Sequence, residues 1–173
     1  MKIEPLAERV ELILSDVDGV MTDGGVVFDN QSIETKVFHI RDGLGIKLWR
    51  RAGYRFGMVT GRSSHIVRMR AAELDVDMLR QGVEDKLAVA EQIVAEARLS
   101  PQQVCYIGDD LPDLPAMRYV GFAVAVADGS EEVRRGAHYV TTTPGGRGAV
   151  RETIELILKA QGRWDDLIQK YRR

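Results

Sequence analysis

The stretch "LILSDVDGVMTDGG", Leu12 to Gly25, runs three apolar residues straight into Asp16, Asp18 and Asp23, with glycines packed around them. Buried strands seldom end in several carboxylates, because carboxylates repel one another and lose hydration when they converge. A cation between them offsets both effects. Three further polar clusters belong with this one: "TGRSS" at Thr60–Ser64, Lys86 after "LRQGVED", and "GDDLPD" at Gly108–Asp113. Asp16 and Asp18 are two apart at a strand end and can share a crevice while the backbone stays extended. With Asp109 they form an oxygen-rich site suited to Mg²⁺, which favours carboxylates and keeps several waters. A phosphate beside that cation is within the means of the Thr60 hydroxyl, nearby backbone N–H groups and the Lys86 ammonium. One aspartate can then attack phosphorus as a covalent nucleophile. The other can protonate the leaving alkoxide and afterwards activate water against the aspartyl-phosphate.

The elements that must position these residues follow from the apolar pattern. Val10–Ser15, Phe56–Thr60, Val104–Ile107 and Phe122–Val126 are apolar without strict alternation and read as buried strands, with Tyr139–Thr142 as a short edge strand. Helical spacing lies between them. Asp42 is the expected cap of "GLGIKLWRRAG", Ser63 or Ser64 of "HIVRMRAAEL", and Glu84 or Asp85 of "KLAVAEQIVAEARL". Strand–helix repetition of this kind predicts an α/β fold, a doubly wound and mainly parallel sheet. Ligands bind such a sheet beyond the carboxyl ends of its strands, which is where all four polar clusters fall. Two segments depart from the alternation. Residues 25–41 read as an inserted β-hairpin with arms Val26–Phe28 and Thr35–Ile40, and residues 144–173 as a C-terminal helix and tail.

The whole chain sets the outer limits. Its 173 residues suit a single domain, 1–173, able to bury roughly 70 % of its unfolded surface. A formal net charge of −2 gives no electrostatic case for nucleic acid or a membrane surface. No run approaches the ~20 apolar residues of a membrane span, and "MKIEPLAERVELIL" lacks the apolar core of a signal peptide. The one cysteine, Cys105, lies in the apolar run "VCYI", which suits an inert thiol in a reducing compartment and a cytoplasmic location.

In this order "DVDG", the Thr of "VTGR", the Lys of "EDK" and "GDDLPD" resemble the haloacid dehalogenase-like phosphohydrolases. The combination is far more specific than D-x-D alone. The resemblance implies a Rossmann-like fold in which Asp16 is the nucleophile and Asp18 the general acid/base. Thr60 and Lys86 would bind phosphate, and Asp109 would complete the Mg²⁺ site with Asp16 and the Asp18 carbonyl. The phospho-transferring ATPases of this superfamily carry Thr where this chain has Asp18, so Asp18 points to hydrolysis. From Leu12 to Glu152, "DVDGVMTDGG", "ETKVFHIRDGLGIKLW", "TGRSS" and "GGRGAVRE" look like the 3-deoxy-D-manno-octulosonate 8-phosphate phosphatases. That resemblance implies no cap domain, a homotetramer assembled partly by the hairpin, and active sites closed by a neighbouring subunit. It places His39–Gly43 (Asp42 and Gly43 among them), Lys47, Gly61, Arg62 and Arg70 near a phosphorylated sugar acid, whose carboxylate an Arg can grip bidentately. His39 receives no role.

Other readings stand beside these. Asp23 shapes the turn. Asp110 orients Lys86 or the metal shell, and Asp113 either holds a ligand or caps "LPAMRYV". Lys47 and Arg70 fall on helices, where a solvated face is the ordinary state. The "GGRGAVRE" glycines either start a helix or form an intersubunit loop, and Trp164 and Tyr171 are candidates for packing the tail on a neighbour. An N-acylneuraminate or 2-keto-3-deoxynononate 9-phosphate phosphatase would use the same machinery. A non-catalytic tetramerisation module is a second class. A phospho-accepting receiver domain is disfavoured by the D-x-D and the late "GDDLPD".

Overall fold

Strand β1, Leu12–Ser15, is fully buried because it has a partner on each edge: β4, Arg55–Val59, and β6, Val104–Gly108, both parallel to it. Outside these lie β5, Met78–Arg80, next to β4, and β7, Phe122–Ala125, followed by β8, Tyr139–Val140, next to β6. The sheet order is β5-β4-β1-β6-β7-β8, all parallel, in the computed structural model, which describes residues 2–172. The chain winds outward from β1 on one side and then returns to start again at β6. The switch therefore falls between β1 and β6, where a doubly wound sheet opens its crevice.

Alternation along the strands divides the core. Ile13 faces one layer with Phe56, Trp49, Ile154 and Ile157; Leu12 and Leu14 face the other with Ile93, Tyr106 and Val133. The first layer is built by α1 (Glu4–Ala7), α2 (Ile40–Arg51), α3 (His65–Glu73), α7 (Ala149–Ala160) and α8 (Trp164–Ile168). The second is built by α4 (Lys86–Ala97), α5 (Leu114–Tyr119) and α6 (Glu131–Gly136). This is the α/β, doubly wound, parallel architecture expected from the sequence, with no cap domain among the described residues. Among the described residues no helix is long and apolar enough to cross a membrane.

Three local readings change. Strand β5 has no counterpart among the expected strands, because "MLR" is short, half-buried and closed off by polar residues. The hairpin is β2, Val27–Phe28, paired antiparallel with β3, Glu34–Thr35, so its second arm ends well before Ile40. Helix α2 starts at Ile40, where His39 is the N-cap and its Nδ1 accepts from the Arg41 N–H at 3.3 Å. Asp42, the expected cap of α2, lies inside that helix and caps a different one. Its buried Oδ1 accepts from the Arg151 N–H at 2.8 Å in the first turn of α7, whose own N-cap, Gly148, has no side chain to do so. Trp164 is 7 % exposed and packs on its own chain beneath the Arg151 guanidinium, 4.9 Å from the ring centroid.

Candidate active site

Each candidate catalytic residue sits where a strand releases the chain. Asp16 follows β1 and still belongs to the sheet edge, since its N–H donates to the Ile107 carbonyl at 3.0 Å. Asp109 follows β6, Thr60 follows β4, and Lys86 opens α4 behind its N-cap Asp85, which accepts from the Ala88 N–H at 3.1 Å. After Asp18 the chain turns at Gly19, φ +96°, where a Cβ would stand 2.0 Å from Asp109 Oδ2. Only glycine lets the two acidic loops approach this closely. Gly145 packs from behind, with space for a Cβ only 1.8 Å from the Gly19 carbonyl oxygen, and the Gly146 N–H donates to Val20 O at 2.9 Å. The "GGRG" loop thus braces the catalytic loop of its own chain, and Gly148 starts α7.

The centre of the site is an ion cluster with too few cations. The Lys86 ammonium, 5 % exposed, lies 3.0 Å from Asp16 Oδ1 and 2.6 Å from Asp113 Oδ1. Asp113 Oδ1 also accepts from the Tyr106 hydroxyl at 2.9 Å, and Oδ2 from the Asp109 and Asp110 N–H groups at 3.0 and 3.4 Å. Burial pushes the Asp16 carboxyl up to about 6, the Asp113 charge adding and the Lys86 ammonium opposing. Burial and then the charges of Asp16 and Asp113 push Asp109 up to about 8. Burial alone would lower Lys86, but the carboxylates of Asp16 and Asp113 outweigh it and hold the ammonium above its ordinary range.

Carboxylate oxygens of Asp16, Asp109 and Asp113 lie within 4.8 Å of one another. Both Asp113 oxygens already have donors, whereas Asp16 Oδ1 and Asp109 Oδ1 are buried without an aligned hydrogen-bond donor. Two buried carboxylate oxygens with raised proton affinity, Asp109 Oδ1 with no donor and Asp16 Oδ1 facing only the Lys86 ammonium, fit a hard divalent cation. Asp16 and Asp109 are therefore the side chains able to hold it. The Asp18 carboxylate is engaged elsewhere: Oδ2 accepts from the Thr60 hydroxyl at 3.2 Å and Oδ1 from the Lys36 ammonium.

Asp16, Asp18, Thr60, Lys86, Asp109 and Asp113 line a cavity of about 320 Å³ together with Gly61 and Arg62. Arg62 is half-exposed and pairs with Glu34 Oε1 at 3.0 Å. A larger cavity of about 1110 Å³, bordered by Arg41, Leu44, Arg147 and Arg151, shares no residue with this one. Size therefore does not locate the chemistry; the converging carboxylates and lysine do.

Of the expected substrate-binding residues, Asp42, Gly43, Lys47 and Arg70 are not part of the smaller cavity. Asp42 caps α7. A Cβ on Gly43 would meet Arg70 Nη2 at 2.5 Å, so that glycine makes room for the guanidinium. Arg70 pairs with Glu73 at 2.7 Å and lies over the Phe38 ring, while Lys47 is exposed on α2. Sequence reasoning missed Lys36, Glu34 and Tyr106 as site residues. Tyr106 carried a usable signal, a hydroxyl amid the apolar residues of a central strand. Lys36 and Glu34 carried none, since hairpin register cannot be read from short polar arms.

A parallel 3-2-1-4-5-6 sheet with acids after strands one and four, a threonine after strand two and a lysine opening the helix after strand three defines the haloacid dehalogenase-like hydrolase class. The model of the haloacid dehalogenase-like hydrolase family matches residues 75–153. The 3-deoxy-D-manno-octulosonate 8-phosphate phosphatase of Yersinia pestis is 45 % identical over 155 residues, 90 % of this chain and 83 % of that protein. The Escherichia coli K12 enzyme of the same name is 41 % identical over 160 residues, 92 % of this chain and 85 % of that protein. The Moraxella catarrhalis enzyme, crystallised with magnesium, phosphate and KDO, superposes with a TM-score of 0.96 at 41 % identity, over 98 % of this chain and 97 % of that one. The chain belongs to the 3-deoxy-D-manno-octulosonate 8-phosphate phosphatase family of these hydrolases.

Proposed function

We propose that this chain hydrolyses 3-deoxy-D-manno-octulosonate 8-phosphate to the free sugar acid and inorganic phosphate, with Mg²⁺ as its cofactor. The observation that carries this reading is the convergence of the buried Asp16 and Asp109 carboxylates, with Lys86 the one ammonium at Asp16, beside Thr60 and Asp18 in one cavity. Held by Asp16, Asp109 and the Asp18 carbonyl, Mg²⁺ supplies the positive charge that lets the carboxylates ionise together and draws a phosphate against them. Asp16 is the nucleophile, kept in place by its sheet hydrogen bond and by Lys86. Lys86, Thr60 and the Gly61 backbone receive the phosphoryl oxygens, and the lysine offsets the charge they carry. Asp18 gives its proton to the leaving sugar oxygen, then takes one from the water that attacks the aspartyl-phosphate at Asp16.

The assembly that accompanies this reading is a homotetramer with shared sites. Val26, Val27, Phe28 and Ile33 on the two-stranded hairpin are each more than half exposed, as are Val37 and Ile40 just beyond it. Such a surface is stable in water only when covered. Arg62 stands at its own cavity, while Lys47 and Arg70 lie outside it, where they can serve the site of a neighbour; Asp42 and Gly43 set the helix and the space that present them. A cytoplasmic location is part of the proposal, supported by the single buried thiol of Cys105.

Phosphate release from a panel of phosphorylated sugar acids and simple sugar phosphates, with Mg²⁺ and with chelator, tests the reading. Chelator-sensitive turnover favouring the eight-carbon acid supports it. A preference for nine-carbon acids moves the substrate to the 9-phosphates. No turnover on any member leaves the tetramerisation module. Sizing in solution tests the shared sites, which an active monomer would contradict.

A further inference from the structure

Lys36 follows β3 on the exposed hairpin, yet its side chain is 1 % exposed. Lysine side chains ordinarily run along a surface and leave the ammonium in water. This one turns inward, to Asp18 Oδ1, with Glu34 Oε1 at 3.3 Å as its second partner. Glu34 also holds Arg62, and Thr60 holds the other oxygen of Asp18. The Asp18 carboxylate is thereby gripped at both oxygens, once from the sheet and once from the hairpin. Taking an ammonium out of water is costly unless its partners compensate. Here the partner that compensates is the side chain read above as the proton donor to the leaving group.

We infer that Lys36 is a positioning residue: it fixes the Asp18 carboxyl group toward the leaving-group side of the cavity and ties the placement of the hairpin to the catalytic acid. The inference rests on the proposed role of Asp18. In the step concerned, an Asp16 oxygen forms a bond to phosphorus and the bridging P–O bond breaks with its electron pair on the sugar oxygen. That oxygen takes a proton carried on Asp18 Oδ2, the oxygen beside the Thr60 hydroxyl, which can accept as well as donate, while Lys36 stays on Oδ1. Misplacing Asp18 therefore hurts most when the leaving oxygen is strongly basic, as in a sugar phosphate. In this first step it matters little for p-nitrophenyl phosphate, whose leaving group departs without a proton; the later hydrolysis of the aspartyl-phosphate is common to both substrates. A lysine that merely tethered the hairpin would affect both substrates alike.

The test compares the single-turnover rate of leaving-group release, which precedes hydrolysis of the aspartyl-phosphate, from 3-deoxy-D-manno-octulosonate 8-phosphate and from p-nitrophenyl phosphate for the full chain and for the Lys36→Met, Lys36→Arg and Asp18→Asn variants, each checked for folding by thermal melting. Lys36→Met is expected to lose roughly ten- to a hundredfold on the sugar phosphate and only a few-fold on the nitrophenyl ester. Lys36→Arg is expected to recover part of the loss. Asp18→Asn serves as the reference. If it shows the selective loss and Lys36→Met does not, the positioning role is overturned while the role of Asp18 stands. If Asp18→Asn lowers both substrates equally, or the unmodified chain turns over neither, the reading of the site fails and the inference with it.

Discussion

Lys86 stands closer to Asp113 than to Asp16, 2.6 Å against 3.0 Å, so the buried aspartate sets where the lysine meets the nucleophile. Asp113 is itself fixed by the Tyr106 hydroxyl and two backbone N–H groups, and nothing about it moves freely. The Asp113→Asn variant removes the charge that retains Lys86 and keeps the volume. One charge-assisted hydrogen bond lost is about 1.5–3 kcal/mol, or roughly 10–100-fold in rate. The expected outcome is a kcat lower by that factor with the fold retained, checked by steady-state kinetics beside near-UV circular dichroism. An unchanged kcat would show that Lys86 is held by other means.

Asp16 and Asp109 make metal binding and stability move together with pH. Both carboxyls are raised in the folded chain, from 3.8 to about 6 and about 8. A raised acid binds its proton more tightly folded than unfolded, so this contribution is complete below the unfolded value and lost as pH rises through the folded one. The metal-free protein therefore loses stability from these groups between about pH 4 and 8, and Mg²⁺ restores it by replacing the protons. Asp109→Asn, metal-free at pH 8, is expected to melt a few degrees above the parent and to gain nothing from Mg²⁺. Thermal melts with and without MgCl₂ at pH 6 and 8 check this, the parent's gain being larger at pH 8. An equal Mg²⁺ shift in parent and variant would remove Asp109 from the metal site.

Asp42 separates a structural role from a substrate role. It caps α7 from another helix while its Oδ2 has no partner, and burial raises its carboxyl. Asp42→Ala leaves the Arg151 N–H buried and unpaired, costing about 1–2 kcal/mol. Asp42→Asn keeps an acceptor and removes the buried charge, so it is expected to match or exceed the parent at pH 8. Denaturant unfolding measures both, and KM measured alongside settles the assignment. A KM unchanged in Asp42→Asn assigns the residue to the fold, and a large increase assigns it to the substrate.

The catalytic cluster was legible because each of its members is tied to a strand end, and strands of this sheet announce themselves as apolar runs. Asp16, Thr60, Lys86 and Asp109 converge on one cavity although 93 residues of sequence separate the first from the last. The hairpin was legible as a segment but not in its register. A two-residue pairing such as β2 with β3 leaves no apolar alternation to fix which side chain turns inward, and Lys36 was hidden for that reason. Asp42 misled in a different way. Aspartate before a helical pattern is an N-cap signal, and the residue does cap a helix, but α7 lies more than a hundred positions further on. Strand β5 escaped because an edge strand of three half-buried residues needs no apolar run.

The identity of the nucleophile is the claim on which the rest depends. The most direct measurement is to quench the enzyme during turnover, reduce any acyl phosphate with borohydride and map the modified residue by peptide mass spectrometry. The account requires homoserine at position 16, absent from Asp16→Asn and from chelator-treated protein. Turnover without any trapped residue, or with the modification at Asp18, would contradict it.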